Sequence, residues 1–154
     1  MHFKGLGVVR NPDQALSWYR RAAVLGNVDA AKALGKLCTM GYGGEEDFGR
    51  AIDYYQKVAG AGNRGAMYEL GLLYSEGSSA TRNLCKAVEW YEKAGLRGST
   101  RAMFALAQLH ENNHEDERAI YWYKRATDAG DKSAKRNLAG LTRFSFKRWF
   151  RRRD

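Results

Sequence analysis

The sequence predicts an all-α fold, a solenoid of antiparallel helix pairs stacked along the chain. Three observations predict it: one apolar pattern recurs four times in 154 residues, 17 glycines stand against a single proline, and a Gly falls where each copy of the pattern stops. Composition agrees, since 44% apolar and 28% charged residues exclude the low-hydrophobicity, high-charge signature of disorder. Apolar stretches are interrupted within a few residues, too soon for a membrane span. The run Gly5–Val9 between Lys4 and Arg10 is too short for the apolar core of a secretory signal. Two cysteines, Cys38 and Cys85, suit neither a disulfide scaffold nor a zinc cluster, and are expected as free thiols in a reducing compartment.

The first helix of each pair in the recurring pattern reads Ala15, Trp18, Tyr19, Ala22 and then Gly26. A step of 36 residues gives Ala51, Tyr54, Tyr55, Val58 and Gly62; a second step of 36 gives Ala87, Trp90, Tyr91, Ala94 and Gly98; a step of 32 gives Ala119, Trp122, Tyr123, Ala126 and Gly130. Positions i, i+3, i+4 and i+7 define one buried helical face, with small Ala where another helix comes close. Four residues before each leading Ala stand Asn11, Asp47, Asn83 and Glu115; the first three are expected to cap the helix N-terminus, with Pro12 at the first helical position. After each Gly a second helix follows: Ala30, Leu34, Gly35, Leu37; Ala66, Leu70, Gly71, Leu73; Ala102, Leu106, Ala107, Leu109; Ala134, Leu138, Ala139, Leu141. Gly or Ala after the first Leu marks the closest crossing. Such pairs bury their apolar faces only against neighbours, so they stack.

The stretches Ala66-Met-Tyr-Glu-Leu-Gly-Leu-Leu-Tyr74 and Lys86-Ala-Val-Glu-Trp-Tyr-Glu-Lys-Ala94 resemble the Sel-1-like repeat, a relative of the tetratricopeptide repeat. The resemblance runs from about Gly5 to Leu141 and implies a right-handed superhelix. It divides the chain into a half repeat (1–28), repeats at 29–64 and 65–100, a shortened repeat at 101–132, and a C-terminal capping helix with a basic aromatic tail (133–154). The chain opens at Gly5-Leu-Gly-Val8, the family's loop between paired helices, which implies that the first helix of the first repeat is missing. The fourth copy lacks four loop residues between Leu109 and Ala119. One secreted branch of the family staples each repeat with a disulfide; the corresponding positions here, Ala23 with Ala31, Ala59 with Met67, Gly95 with Met103 and Thr127 with Lys135, hold no cysteine. A cytoplasmic location is therefore expected.

His110-Glu-Asn-Asn-His114 satisfies the H-E-x-x-H pattern of zinc hydrolases. Its context argues against that chemistry: the motif runs into the shortened loop, Asn112-Asn113 are poor helix formers, and no His follows His114 and no Glu follows Glu117 to supply the usual third ligand. It is expected to be a solvated polar loop. No phosphate-binding glycine loop and no nucleophile elbow is present. No catalytic residue, metal or cofactor is predicted, and a small-molecule substrate is not expected.

The resemblance further implies a non-catalytic adaptor that binds a protein or peptide on a groove lined by the Leu-Gly helices. Transferring that register gives Lys32 and Lys36; Tyr68 and Leu72; Arg101, Phe104 and Gln108; and Arg136. Each set steps by three or four residues and so shares one helix face. Tyr68, Leu72 and Phe104 would form an apolar centre, with Lys32, Lys36, Arg101 and Arg136 as a basic rim suited to an acidic peptide. The alternative site is the tail: Arg143, Lys147, Arg148, Arg151, Arg152 and Arg153 hold more than half of the chain's net charge of +9. Phe146, Trp149 and Phe150 lie among them, so a cap, an anionic membrane surface and nucleic acid all come into view. Nucleic acid is disfavoured because Glu45-Glu46-Asp47 and Glu115-Asp116-Glu117 interrupt the basic field along the repeats.

Overall fold

The computed structural model describes residues 11–77 and 82–153. Within them eight helices follow one another: α1 (Pro12–Val24), α2 (Val28–Thr39), α3 (Glu45–Gly60), α4 (Arg64–Glu76), α5 (Leu84–Leu96), α6 (Thr100–Asn112), α7 (Asp116–Asp128) and α8 (Lys132–Arg151). Each packs on the helix before it and the helix after it, and α4 additionally touches α2 and α6. The opening Gly5–Val8 stretch lies outside the described residues.

Why these segments stop and restart is plain at the turns α1–α2, α3–α4, α5–α6 and α7–α8. Gly26, Gly62, Gly98 and Gly130 all adopt left-handed backbone, φ 85 to 98°, the conformation that closes a helix and that only Gly enters freely. The next residue, Asn27, Asn63, Ser99 or Asp131, caps the following helix: its side-chain oxygen accepts the amide of Ala30, Ala66, Ala102 or Ala134 at 2.9, 3.0, 3.3 and 2.8 Å. Terminator and cap are adjacent, so the reversal is tight.

The caps at the other ends are less uniform. Asn11 and Asn83 cap α1 and α5 as expected, accepting the amides of Gln14 and Lys86. Asp47 does not cap α3. The helix starts earlier, with Gly44 as its N-cap residue, and Asp47 sits in the first turn with its carboxylate reaching back to the Gly44 amide at 3.1 Å. Its second partner is Arg20 of α1, whose Nε and Nη2 donate to the two carboxylate oxygens at 2.6 and 2.5 Å. That pair and the Gly44 bond hold the Asp47 carboxyl below its ordinary pKa.

The core is a ladder of repeated positions. Leu34, Leu70 and Leu106 are fully buried, as are Ala51, Ala87 and Ala119; burying each Leu contributes roughly 2–3 kcal/mol. Tyr55, Tyr91 and Tyr123 stand behind them, also buried. Close approach is needed there: a Cβ on Gly35 would lie 2.7 Å from the Tyr55 ring, and one on Gly71 only 2.5 Å from the Tyr91 ring. Most buried side chains from Cys38 onward form one continuous cluster, while Leu16, Leu34 and Leu37 form a small separate one between α1 and α2.

Candidate functional site

Because α4 touches α2 and α6 as well as its sequence neighbours, α2, α4 and α6 form one inner row of the stack. Of the residues expected to bind a partner, all but Arg136 lie on these three helices, and Arg136 lies on α8. Lys32 and Lys36 are exposed on α2, Tyr68 and Leu72 half-buried on α4, Arg101 and Gln108 exposed and Phe104 half-buried on α6, and Arg136 exposed on α8. The structure brings Arg101 and Tyr68 together directly, the guanidinium 4.5 Å from the ring centre. On its other flank the Tyr68 ring leans on Tyr91, centroids 5.7 Å apart, while Phe104 meets Tyr123 edge-on at 5.8 Å. Both aromatics therefore pack between helices and show only part of their rings outward.

Glu69 is a residue the sequence reading passed over. It follows Tyr68 on α4, half-buried, and burial raises its carboxyl pKa against the opposing pull of Arg101, Lys36 and Lys32. The carboxylate thus lies within electrostatic reach of cations on both α2 and α6. Its signal in the sequence is slight, one acid inside an apolar stretch, with partners that only folding brings near. Beside it opens a cleft of about 750 Å³, lined among others by Arg64, Tyr68, Glu69 and Arg101 and by the N-terminal turns of α4 and α6. Two helix N-termini and the Arg64 and Arg101 guanidinium groups face the Glu69 carboxyl across it. A second cleft, about 520 Å³, lies between the end of α6 and α8 and includes Glu111, His114, Arg136 and Phe144.

The H-E-x-x-H segment is a solvated loop only in part: Asn112, Asn113 and His114 are exposed, but residues 110–112 belong to α6. His110 is buried in the last turn of α6, and its Nδ1 lies 2.5 Å from Glu115 Oε2. Glu111 accepts a hydrogen bond from the Tyr123 hydroxyl at 2.5 Å, and burial, with this bond, pushes the Tyr123 hydroxyl up to about 12. His114 stands beyond the helix with φ 60°, in the turn that ends it. The amides of His114 and Glu115 donate to the carbonyls of Glu111 and His110 at 3.0 and 2.9 Å, matching the Gly41 and Tyr42 amides at the end of α2. The two histidines are therefore not on one helical face, and among the described residues no three His, Cys, Asp or Glu side chains converge to hold a metal. Packing explains the difference from expectation: the shortened loop folds back so that Glu115 reaches His110. Cys38 is equally unsuited to chemistry, since burial pushes its thiol up to about 11 and leaves little thiolate at neutral pH.

Repeated helix pairs with a common inner row define an α-solenoid. The Sel1 repeat model matches residues 1–27, 28–63, 65–99 and 100–131, so the chain belongs to the Sel1 repeat family. Among solved structures it is similar to a Sel1 repeat protein from Oxalobacter formigenes, 29% identical with a TM-score of 0.57 over 88% of this chain and 57% of that one. It is also similar to a protective antigen present in uropathogenic Escherichia coli strains and displaying an SLR fold, 30% identical with a TM-score of 0.59 over 89% of this chain and 30% of that one. The chain thus spans about half and about a third of the lengths of these two structures. No curated protein matched the sequence significantly. No helix among the described residues is long and apolar enough to cross a membrane.

Proposed function

We propose that this Sel1 repeat chain is a non-catalytic scaffold that holds an acidic peptide or protein segment along the inner face of α2, α4, α6 and α8. The observation that carries the reading is the Arg101–Tyr68 contact at the mouth of the larger cleft, with Lys32 and Lys36 exposed along the same row and Arg136 exposed on α8. A guanidinium already stacked on an aromatic ring loses little freedom when it meets a carboxylate. The half-buried faces of Tyr68 and Phe104 offer apolar contact between the cations, so the charges set register and encounter rate while the rings add affinity. Repeat proteins use such extended faces because each helix pair contributes one strip of surface. The groups an H-E-x-x-H enzyme would need are engaged elsewhere, His110 with Glu115 and Glu111 with Tyr123, which supports the non-catalytic reading.

The test is affinity capture with the intact chain, followed by binding measurements on the proteins retained. The triple variant Lys32→Glu, Arg101→Glu, Arg136→Glu is expected to weaken a captured partner at least tenfold, and the wild-type affinity is expected to fall as salt rises. A control with Lys57→Glu and Lys124→Glu, on the exposed sides of α3 and α7, is expected to bind as wild type. Equal affinity in wild type and triple variant would remove the inner face from the proposal.

A further inference from the structure

The last helix does not stop where its counterparts do. α2, α4 and α6 are 12 or 13 residues long, whereas α8 has 20. Leu141 is its last buried residue; beyond it Phe144, Phe146, Trp149 and Phe150 are 63, 63, 51 and 58% exposed. Three of these rings touch one another, Phe146–Trp149 at 6.2 Å, Phe146–Phe150 at 6.0 Å and Trp149–Phe150 at 6.3 Å. At helical spacing they occupy one sector, and Arg143, Lys147 and Arg151 occupy the next. From residue 143 to 153 there are six cations and no acid. Exposed aromatic patches of this kind mark an interaction surface.

Charge and shape select the occupant. A second copy of the chain would bring six like charges against six. A helix end projecting past its neighbours is a convex ridge, which a fluid surface can envelop without a preformed groove. Trp and Phe rings flanked by Arg and Lys are the side chains that settle at the headgroup boundary of a bilayer, and the cations add attraction to anionic lipid. We propose that residues 143–153 of α8 form an interfacial anchor that seats this chain on an anionic lipid surface, lying on the membrane and not spanning it. The inner face of the repeats would then remain free for a partner.

The intact chain is sedimented with vesicles of phosphatidylcholine alone and with vesicles containing about 30% phosphatidylserine. Partitioning is expected to be at least tenfold higher on the anionic vesicles and to fall in about 0.5 M salt, where charges beyond a few ångströms are screened. Phe146→Ser, Trp149→Ser, Phe150→Ser in combination, and separately Arg148→Glu, Arg151→Glu, Arg152→Glu, are each expected to lose at least tenfold. Circular dichroism should show both variants folded, since none of these residues is buried. Equal binding to both vesicle types, or wild-type binding by the aromatic variant, overturns the proposal. So does a wild-type dimer that the same substitutions abolish. Retention of a duplex oligonucleotide as tight as that of vesicles, lost on charge reversal but kept by the aromatic variant, would reassign the segment to nucleic acid phosphate.

Discussion

Asp47 is 2% exposed and accepts from Arg20 and from the Gly44 amide, so a single carboxylate joins α1 to α3 and closes the first turn of α3. Hydrogen bonds to charged groups contribute roughly 1.5–3 kcal/mol, and Asp47→Asn is expected to cost about 2 kcal/mol at neutral pH in denaturant unfolding. The folded carboxyl titrates below its unfolded value, so this stability is fully present above the ordinary carboxylate pKa of about 4 and is lost as pH falls through the folded value. The difference between wild type and variant should shrink over that acid window; a constant difference down to the acid limit would show that the ion pair is not its source. His114 behaves differently. Its left-handed backbone costs a side chain roughly 1–2 kcal/mol that Gly does not incur, and Gly41 holds the same place at the end of α2. His114→Gly is therefore expected to raise thermal stability, the looser unfolded chain trimming the gain to about 1 kcal/mol. If H-E-x-x-H were a metal site, the same change would weaken zinc-dependent stabilisation; no such stabilisation is expected in either protein.

Successive helix pairs are set against one another by the small residue at their crossing. At Gly71 an added Cβ meets three atoms of the Tyr91 ring within 2.9 Å, and Tyr91 is itself buried, so the ring cannot swing into solvent. Overpacking costs roughly 1–3 kcal/mol while Ala in place of Gly returns about 1 kcal/mol of helix propensity. With three ring atoms that close the cost falls toward the upper end, so Gly71→Ala is expected to destabilise by up to about 2 kcal/mol net, whereas Gly60→Ala, with no atom within 4 Å of its added Cβ, should be neutral or stabilising. A thermal shift of the same sign at both positions would mean that the crossing is not tight. Much at this scale was legible in the sequence, because a period of 36 residues repeats the same three constraints: an apolar face, a small crossing residue and a terminating Gly. The start of α3 was not, since Gly44 and the reach of Asp47 toward Arg20 set it, and Arg20 lies 27 residues away. The caps Asn27, Asn63, Ser99 and Asp131 show in the sequence only as the polar residue after each Gly. Of the inner face, the helical stripes could be read directly. The coupling of Glu69 to Lys32, Lys36 and Arg101, and the stacking of Arg101 on Tyr68, depend on how successive pairs are set against one another.

Across the whole molecule, contacts run almost entirely between helices adjacent in sequence, so stability is close to a sum of pair and junction contributions and the ends can open alone. The two ends are unequal. The large buried cluster runs from Cys38 of α2 to Leu141 of α8, but α1 is held by the small cluster of Leu16, Leu34 and Leu37, with Ala15 and Tyr19 against it, and by Arg20–Asp47. Trp18, Val24 and Leu25 are 71, 68 and 86% exposed, so α1 leaves much of its own apolar surface uncovered. Amide exchange of the 154-residue chain is expected to rank α1 as the least protected helix, α2 next, and α5 to α7 the most protected. Asp47→Asn should then speed exchange in α1 and α2 with little change in α6 and α7. Leu106→Ala, which empties a fully buried site at the centre of the large cluster at a cost of roughly 2–5 kcal/mol, should lower protection from α4 to α8 together. If Asp47→Asn accelerated exchange equally in all eight helices, the chain would be a single cooperative unit and the picture of an array opening from its α1 end would fail.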